Sequence, residues 1–516
     1  MNTMRKVSGL LPLALIVASA QTDDVQKLRE QIAAQQKQLD GLRAALDSAQ
    51  SAIDTQKKEL DRLIAAKTGP APAGTQTAFV NPPAKPAAGP ETVEKPQAPS
   101  PLSFRIGSAE FTPGGFMDFS NAWRSTNIGS GVATSFSGIP LSNTAAGRTQ
   151  EFRSSAMNSR VTLTVSEKAT PNTLVTGYLE GDFYGNNAGN VYVVSNSSTF
   201  RMRHFWANVE HGKWEVLGGQ TWTMLTPNRV GTSQVSSNVF VGLGEDSNYM
   251  VGLVWGRPGQ LRVTYHPNKH WSIAGSIENP QQYVTAATTL PAWAATQVDN
   301  GSMPTAPNVR PDIVAKIGYD TQVSGRAVHF ELAGFSRQFR VSPAPDGYSS
   351  AQGLGGSAGA NVEVWKNFRL MATGFYSSGG GREIAGLGPD LVIGPNGAIS
   401  PVHSMAGIAG FEYAPNPTMT LFGYYSGSYF NRNYMLVSPG NYLGYGYPGS
   451  SPSANRDFQE PMFGYYYTFW KNPRIGALQF IGQYSYVMRS PWWVVPGTAW
   501  DAHAHMVFGS LRFTLP

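Results

Sequence analysis

From residue 102 to the C-terminus, tight turns and long loops alternate along the chain. Between successive turns lie two segments joined by a longer stretch rich in Gly, Ser, Asn and Pro, as in 280–311, 379–401 and 431–457. If both ends of this region lie on the side of the turns, seven turns separate eight hairpins, each closed by a long loop on the opposite side. Eight hairpins contain sixteen antiparallel strands. The turns are Glu167–Asn172, His211–Lys213, His266–Lys269, Asp320–Ala327, Trp365–Asn367, Ala414–Thr418 and Trp470–Pro473.

The segments between the turns alternate polar and apolar residues, as in 160–165 and 261–266. A soluble sandwich alternates in the same way, so the period alone does not decide between the two architectures. Short connections on one side and long ones on the other are typical of outer-membrane barrels. The sequence therefore predicts an all-β transmembrane barrel of about sixteen antiparallel strands. Seven tryptophans near strand ends predict an interfacial girdle: Trp206, Trp214, Trp222, Trp255, Trp271, Trp365 and Trp470.

The first twenty residues have the anatomy of a cleavable secretory signal peptide. Arg5 and Lys6 precede an apolar stretch, and small residues at Ala18 and Ala20 suit a signal peptidase. The apolar stretch is about half as long as a membrane-spanning helix requires, which argues against a permanent anchor. We therefore expect a signal peptide over 1–20 and an exported protein, in which the lack of cysteine excludes disulfides and thiolate chemistry.

Residues 21–67 predict an α-helical coiled coil in front of the barrel. One heptad position reads Val25, Ile32, Leu39, Leu46, Ile53 and Leu60, and the other reads Leu28, Gln35, Leu42, Ala49, Gln56 and Leu63. Mixed Ile and Leu at both positions favours three strands, although a dimer fits the same repeat. Residues 68–101 hold nine prolines and predict a stiff linker, which leaves 102–516 for the barrel.

On a membrane barrel the polar face of each strand lines the lumen. This parity assigns eight wall residues to the lumen: Arg105, Asp118, Arg160, Glu180, Asp182, Arg201, Arg203 and Arg262. Asp501, His503 and His505 open the polar face of the last strand. The segment 224–249 is long enough to fold inward and narrow a channel. Its basic residue would then be Arg229, and its acidic residues would be Glu245 and Asp246. The alternative for this segment is an excursion on the surface.

The basic residues of the barrel are mostly arginine. From residue 101 on there are 21 arginines and six lysines, and five of those lysines lie in the tight turns. The planar guanidinium pairs with carboxylate or phosphate through two hydrogen bonds, so a wall of arginine would concentrate anions in the lumen. The alternative is that these arginines only balance Glu180, Asp182 and their neighbours.

The layout as a whole resembles the DcaP-like trimeric porins, a family with a short coiled coil, a linker and a barrel. Two short motifs add to the resemblance, Phe111-Thr112-Pro113-Gly114-Gly115-Phe116 and Gly218-Gly219-Gln220-Thr221-Trp222. The resemblance implies a sixteen-stranded homotrimer that passes small negatively charged solutes such as dicarboxylates. No set of substrate-binding arginines matches position by position, so the identity of the solute is not carried over.

The sequence therefore predicts an outer-membrane porin of a Gram-negative-type bacterium, surrounded by outer-membrane lipid and with its N-terminal segment in the periplasm. A sugar-selective porin is one alternative. Another is a structural anchor whose coiled coil contacts the cell wall. No G-x-S-x-G, H-E-x-x-H or phosphate-binding glycine loop occurs, so we expect no enzyme, cofactor or metal. The mild net charge of +6 gives no reason to expect nucleic acid.

Overall fold

The computed structural model describes residues 33, 36, 100–185, 198–234, 238–301, 310–344 and 347–516. The chain divides into two units, Met1–Ala78 and Phe79–Pro516. In the first unit only Ala33 and Gln36 are described, and both are helical and exposed. The predicted signal peptide, the coiled coil apart from these two residues, and the linker up to residue 99 lie outside the described residues and stay predictions.

The second unit is built from sixteen long antiparallel strands, with β2 in two pieces. The strands are β1 Ala109–Arg124, β2 Glu151–Ser155 and Arg160–Thr170, β3 Thr173–Gly185, β4 Thr199–His211, β5 Trp214–Gln220, β6 Gly259–Asn268, β7 Trp271–Glu278, β8 Asp312–Val323, β9 Arg326–Ala344, β10 Gly347–Trp365, β11 Phe368–Ser378, β12 His403–Asn416, β13 Met419–Phe430, β14 Asn455–Asn472, β15 Gly476–Pro491 and β16 Ala502–Thr514.

Each strand pairs with its neighbours in the chain, and β1 pairs with β16, so that the sheet closes into a barrel. The count of sixteen strands and all seven predicted turns are confirmed. We call the end of the barrel with these turns the turn end and the opposite end the loop end. A short strand, Phe104–Ile106, pairs with the start of β1, and Leu515 N donates to Gly115 O at 3.0 Å, so both ends of the barrel segment lie at the turn end. Within the part of the chain that the structure describes, no helix has the length and apolar character needed to cross a membrane.

Strand parity separates the two faces of the wall. In β7 the residues alternate strictly, with Ile273 and Ile277 exposed and Ser272 and Ser276 buried. Apolar side chains thus cover the outside, as parity predicted for this strand. In β16 the predicted face is wrong: the exposed His505 lies on the outer face with Val507 and Leu511, whereas Ala502, Ala504 and Met506 point inward. His503 shares the outer face with His505, since residues two apart point to the same side of a strand.

The predicted tryptophan girdle is only partly correct. The exposed residues Trp214, Trp271, Trp365 and Trp470 lie beside the tight turns. Trp206 and Trp222 are buried, and Trp255 packs edge to face against Trp222 with ring centroids 6.1 Å apart. The girdle prediction is therefore wrong for these three, because they face the inside of the barrel.

The inner face of β11–β14 carries a patch of large apolar side chains among its polar ones, which the general rule of a polar lumen does not predict. Phe422, Tyr424 and Met462 from the wall form a buried cluster with Phe240, Met250 and Leu253 from the loop between β5 and β6. Burying a side chain of this size stabilises a fold by roughly 1.5–3 kcal/mol. These wall residues are apolar because a loop, rather than water, covers them. We call this loop, residues 221–258, the inner loop.

Glycine lets the backbone of the inner loop lie directly on the wall at one point. A β-carbon on Gly252 would meet the carbonyl oxygen of Gly407 at 2.2 Å and the backbone of Gly427 at 2.8 Å. Both contacts are with strand backbone, which cannot move aside. A side chain at position 252 would therefore push the inner loop off β12 and β13.

Loops at the loop end pack against one another. Arg382, in the segment 379–402, donates to Gln281 O at 2.8 Å and forms an ion pair with Asp312. Thr289 pairs with Gly444 across two other loops, and Val284 packs with Leu391 in a separate apolar cluster. The loop end is thus a packed layer, which narrows the access to the lumen from this side.

Candidate functional site

The inner loop crosses the lumen and is fastened to the wall by charged groups. Arg229 donates from Nη1 and Nη2 to the two oxygens of Glu412 on β12, both at 2.6 Å. Lys316 on β8 donates to Thr226 O at 2.9 Å, and Glu278 on β7 accepts from Met224 N at 3.0 Å. The segment 224–249 thus turns inward, as the sequence indicated.

The other charged residues predicted in this region are also engaged in holding the inner loop. Arg262 on β6 donates to Thr232 O at 3.1 Å and Trp222 O at 2.9 Å. Asp246 accepts from Thr134 N at 3.1 Å. Glu245 contacts Arg512 at 2.8 Å. Whether any of these charges meets a passing solute stays a prediction, but each has a structural partner.

We expect the change Arg229→Ala to loosen the inner loop strongly. It would leave Glu412 buried without its partner, and removing one member of a buried ion pair costs about 3–5 kcal/mol. The measurement is limited proteolysis of the inner loop together with thermal unfolding. The matched control removes both charges, Arg229→Met with Glu412→Leu. If Arg229→Ala and the double variant resisted protease equally well, the pair would not be the anchor.

The strands β2, β3 and β4 carry a cluster of arginines and acids on the inner face of the barrel. Arg201 donates to both oxygens of Asp182 at 2.9 and 2.7 Å. Arg203 donates to Glu180 at 2.6 Å and to Asp182 at 2.8 Å, and Arg160 approaches Glu180 at 3.4 Å. All five side chains predicted from parity on these three strands are therefore brought together.

A β-bulge places one of these arginines. Gly181 pairs with Met202 and Glu180 with His204, so Arg203 is an extra residue in β4. A bulge changes the direction of a side chain relative to simple alternation. Arg203 and His204 are both buried as a result, although they are adjacent in sequence. Parity alone would have placed His204 outside.

The accessible surface of the cluster belongs to its arginines. The side chains of Arg201 and Arg160 are 39% and 20% exposed, whereas those of Asp182 and Glu180 are 1% and 2% exposed. The Nε of Arg160 is buried and has no hydrogen-bond partner among the described residues. The acids thus lie behind the guanidinium groups, and the face that a solute would meet is positive.

Arg257 in the inner loop adds a further positive charge to this face. The Cζ atom of its guanidinium lies 5.2 Å from the ring centroids of both Trp222 and Trp255. Its buried Nη1 has no hydrogen-bond partner in the described ranges. Burial, together with the charge of Arg203, lowers the pKa of Arg257 to about 9, so the group still carries its charge at neutral pH. Arg257 is therefore a charged group beside Trp222 whose Nη1 donor is used by none of the described residues.

A second ion cluster lies beside the first. Arg512 on β16 donates to Asp118 on β1 at 2.6 Å and to Glu245 of the inner loop at 2.8 Å. A cavity of about 140 Å³ separates the inner loop from this wall. Its lining includes Arg160, Arg512, Glu245, Trp222 and Tyr249. The cavity beside the inner loop thus lies next to Arg160 of β2 and Arg512 of β16.

Arg105 lies away from this cavity. It belongs to the short strand before β1, its side chain is 72% exposed, and it contacts Glu110 at 3.4 Å at the turn end. Four residues around the cavity were not among the site residues predicted from the sequence: Arg257, Arg512, Trp222 and Tyr249. Arg512 was not predicted because the sequence assigned the opposite face of β16 to the lumen. Arg257 lies in an aperiodic loop, where only the folded chain shows its neighbours.

Comparison with known proteins adds a likeness in fold. No protein-family model matches the chain, and no curated protein matches it significantly. The outer membrane channel DcaP of Acinetobacter baumannii aligns with 80% of this chain and 100% of its own, at a TM-score of 0.58 and 16% identity. The chain therefore has the fold of that channel, in agreement with the resemblance seen in the sequence.

Two further solved structures align less well. An anion-selective porin from Comamonas acidovorans covers 79% of this chain and all of its own, at a TM-score of 0.44 and 11% identity. OprB of Pseudomonas putida covers 78% of this chain and 94% of its own, at a TM-score of 0.44 and 10% identity. Scores at this level support no inference about this chain.

Proposed function

We propose that this protein is an outer-membrane porin, a passive diffusion channel that prefers small anions such as dicarboxylates. The barrel spans the membrane, with the turn end in the periplasm and the loop end outside the cell. Solutes pass between the inner loop and the wall formed by β16, β1, β2 and β3. The protein needs no cofactor for this activity and catalyses no reaction.

One observation carries the anion preference. In the clusters beside the cavity, the side chains of Arg160, Arg201 and Arg512 are partly exposed, while those of the acids that they pair with are buried. A narrow site lined by one sign of charge in low-dielectric walls raises the local concentration of the opposite ion. The unpartnered Nη1 of Arg257 supplies a donor that no described acid uses.

A liposome-swelling assay tests this proposal. Proteoliposomes with the full-length protein should take up a small dicarboxylate faster than a neutral sugar of similar size. Uptake of the sugar at the same rate or faster would contradict the anion preference and favour a sugar-selective porin. Empty liposomes provide the baseline.

We further propose that the protein is a homotrimer held together in part by a periplasmic coiled coil over residues 21–67, after cleavage of a signal peptide over 1–20. The substitutions Leu39→Asp and Leu46→Asp place charges at successive core positions of the heptad. We expect the trimer of this variant to dissociate at a lower temperature than the native one, measured by unheated and heated gel electrophoresis. Equal dissociation temperatures would contradict a role of the heptad in assembly.

A structural anchor remains the second candidate, and one observation favours it. The interior is filled by the inner loop and its apolar cluster, and the cavity beside the arginines is only about 140 Å³. A barrel plugged in this way could hold the coiled coil at the membrane so that it contacts the cell wall. This candidate predicts a folded barrel without measurable conductance.

A further inference from the structure

Two carboxyl groups share one guanidinium where the inner loop meets the wall. Arg512 donates from Nε to Asp118 Oδ2 at 2.6 Å and from Nη2 to Glu245 Oε2 at 2.8 Å. The side chains of Asp118 and Glu245 are fully buried, and that of Arg512 is 14% exposed. If both carboxyls were ionised, this group of three side chains would carry a net negative charge.

The hydrogen bonds of Ser120 indicate a proton on one of these carboxyls. Its Oγ contacts Asp118 Oδ1 and lies 2.6 Å from Glu245 Oε1. A hydroxyl has one hydrogen, so it can donate to only one of the two oxygens. The other contact is a hydrogen bond only if the second carboxyl donates.

Glu245 is the carboxyl better placed to hold this proton. Asp118 accepts from Arg512 and also from Ser510 Oγ at 2.8 Å. A proton on Glu245 Oε1 would be donated to Ser120, whose own hydrogen would go to Asp118. Glu245 Oε1 could still accept from Asn158 Nδ2 at 2.8 Å, and Oε2 from Arg512. With this arrangement every short contact of the group is a hydrogen bond.

We propose that Glu245 makes the selectivity of the channel depend on pH: the anion preference is strong when Glu245 carries its proton and weak when Glu245 is ionised. This inference rests on the proposed porin function. Glu245 lines the same cavity as Arg160 and Arg512, so its ionisation adds a negative charge where the arginines attract anions. Ionised Glu245 can no longer donate to Ser120. Glu245 and Asp118 then compete for the single hydrogen of the Ser120 hydroxyl.

The charged and titratable groups around Glu245 come from five strands and its own loop. They are Asp118 on β1, Arg160 on β2, Tyr184 on β3, Tyr466 on β14, Arg512 on β16 and Asp246 on the inner loop. Burial, reinforced by Asp118 and opposed by Arg512, raises the pKa of Glu245 to about 7. A carboxyl with a raised pKa is neutral below that value, so the strong anion preference belongs to the acid side of about pH 7.

The test is the reversal potential of the full-length protein in a planar bilayer under a salt gradient, at pH about 5.5 and about 8.5, on either side of the pKa of Glu245. We expect the ratio of anion to cation permeability to fall severalfold at the higher pH. Glu245→Gln, whose amide can donate to Ser120 and accept from Arg512, should keep the high ratio at both pH values. The control Glu110→Gln makes the same chemical change at the turn end and should keep the native pH profile.

The possible results separate this inference from the function on which it rests. An anion-selective channel with the same permeability ratio at both pH values would overturn it, and so would a Glu245→Gln channel with the native pH dependence. A folded barrel without conductance, or one that prefers cations at both pH values, would overturn the porin proposal itself. If Glu245→Gln fails to fold, Asp118→Asn replaces it. That variant should shift the midpoint to lower pH, and an unshifted midpoint would contradict the shared proton.

Discussion

The change Arg257→Glu is expected to abolish the anion preference of the channel and shift it toward cations. Asp182, the acid whose charge acts on Arg257, already pairs with Arg201 and Arg203, so the removal of Arg257 leaves that carboxylate paired. The new carboxylate would lie near Arg203, whose charge already acts on this position. The fold should therefore tolerate the change, and the charge beside the cavity falls by two units.

The expected size of this effect follows from Coulomb's law. One unit charge about 8 Å away contributes roughly 2 kcal/mol at an effective dielectric constant of about 20. Screening by salt reduces this value, and every 1.4 kcal/mol or so is a factor of about ten. We therefore expect the ratio of anion to cation permeability to fall at least about tenfold, measured as a shift of the reversal potential.

The matched control for this prediction is Lys366→Glu. It changes the net charge by the same amount in an exposed turn between β10 and β11. Its reversal potential should stay near the native value. If Arg257→Glu and Lys366→Glu shifted the reversal potential equally, the total charge of the protein would set its selectivity, and Arg257 would have no special role.

The change Trp222→Ala is expected to raise the conductance and lower the stability. Trp222 lines the cavity and is buried under Arg203, Arg257, Tyr249 and Trp255. Replacing a buried tryptophan by alanine costs about 3–5 kcal/mol, and the surrounding structure relaxes only partly into the space. We expect the conductance to rise by roughly twofold or more, because the space left unfilled by the indole adds to the cavity that Trp222 lines.

Trp206→Ala separates the effect on the pore from the effect on stability. Trp206 is also buried inside the barrel and stacks on Tyr178 with centroids 5.4 Å apart, but it does not line the cavity. Both variants should unfold at a lower temperature than the native protein. Only Trp222→Ala should conduct better, and an equal rise in both would mean that general loosening of the barrel opens the channel.

The architecture of the barrel could be predicted because it depends on local signals. Turn chemistry fixes the seven turns, and period-two alternation fixes the strands between them. Both signals can be read along the chain without knowledge of the fold. Strands such as β7, which face lipid on one side and polar groups on the other, follow the alternation residue by residue.

The interior could be predicted only in part, because a loop covers half of it. Phe422 and Met462 point inward because Phe240 and Leu253 of the inner loop pack on them, and that contact joins residues far apart in sequence. On β16 the segment between β1 and β2 covers part of the inner face, where Thr134 contacts Met506, and His503 and His505 point outward. Strand alternation therefore predicted the wrong inner face where a loop covers the wall of the barrel.

The arginine cluster was partly visible in the sequence. Arg160, Arg201 and Arg203 follow from alternation with Glu180 and Asp182 on neighbouring strands. The bulge at Arg203 and the stacking of Arg257 on two tryptophans depend on tertiary structure, and no short pattern marks them. The sequence therefore indicated the arginines of the strands, but not the position of Arg257 beside them.

Single-channel recording of the purified full-length protein in a planar bilayer, with the reversal potential under a salt gradient, tests the central claim most directly. The porin proposal predicts conductance steps that arrive in groups of three and a reversal potential of the sign given by anion-selective channels. A correctly folded barrel, identified by its shifted migration on an unheated gel, that gave no conductance would contradict the porin function and favour the structural anchor.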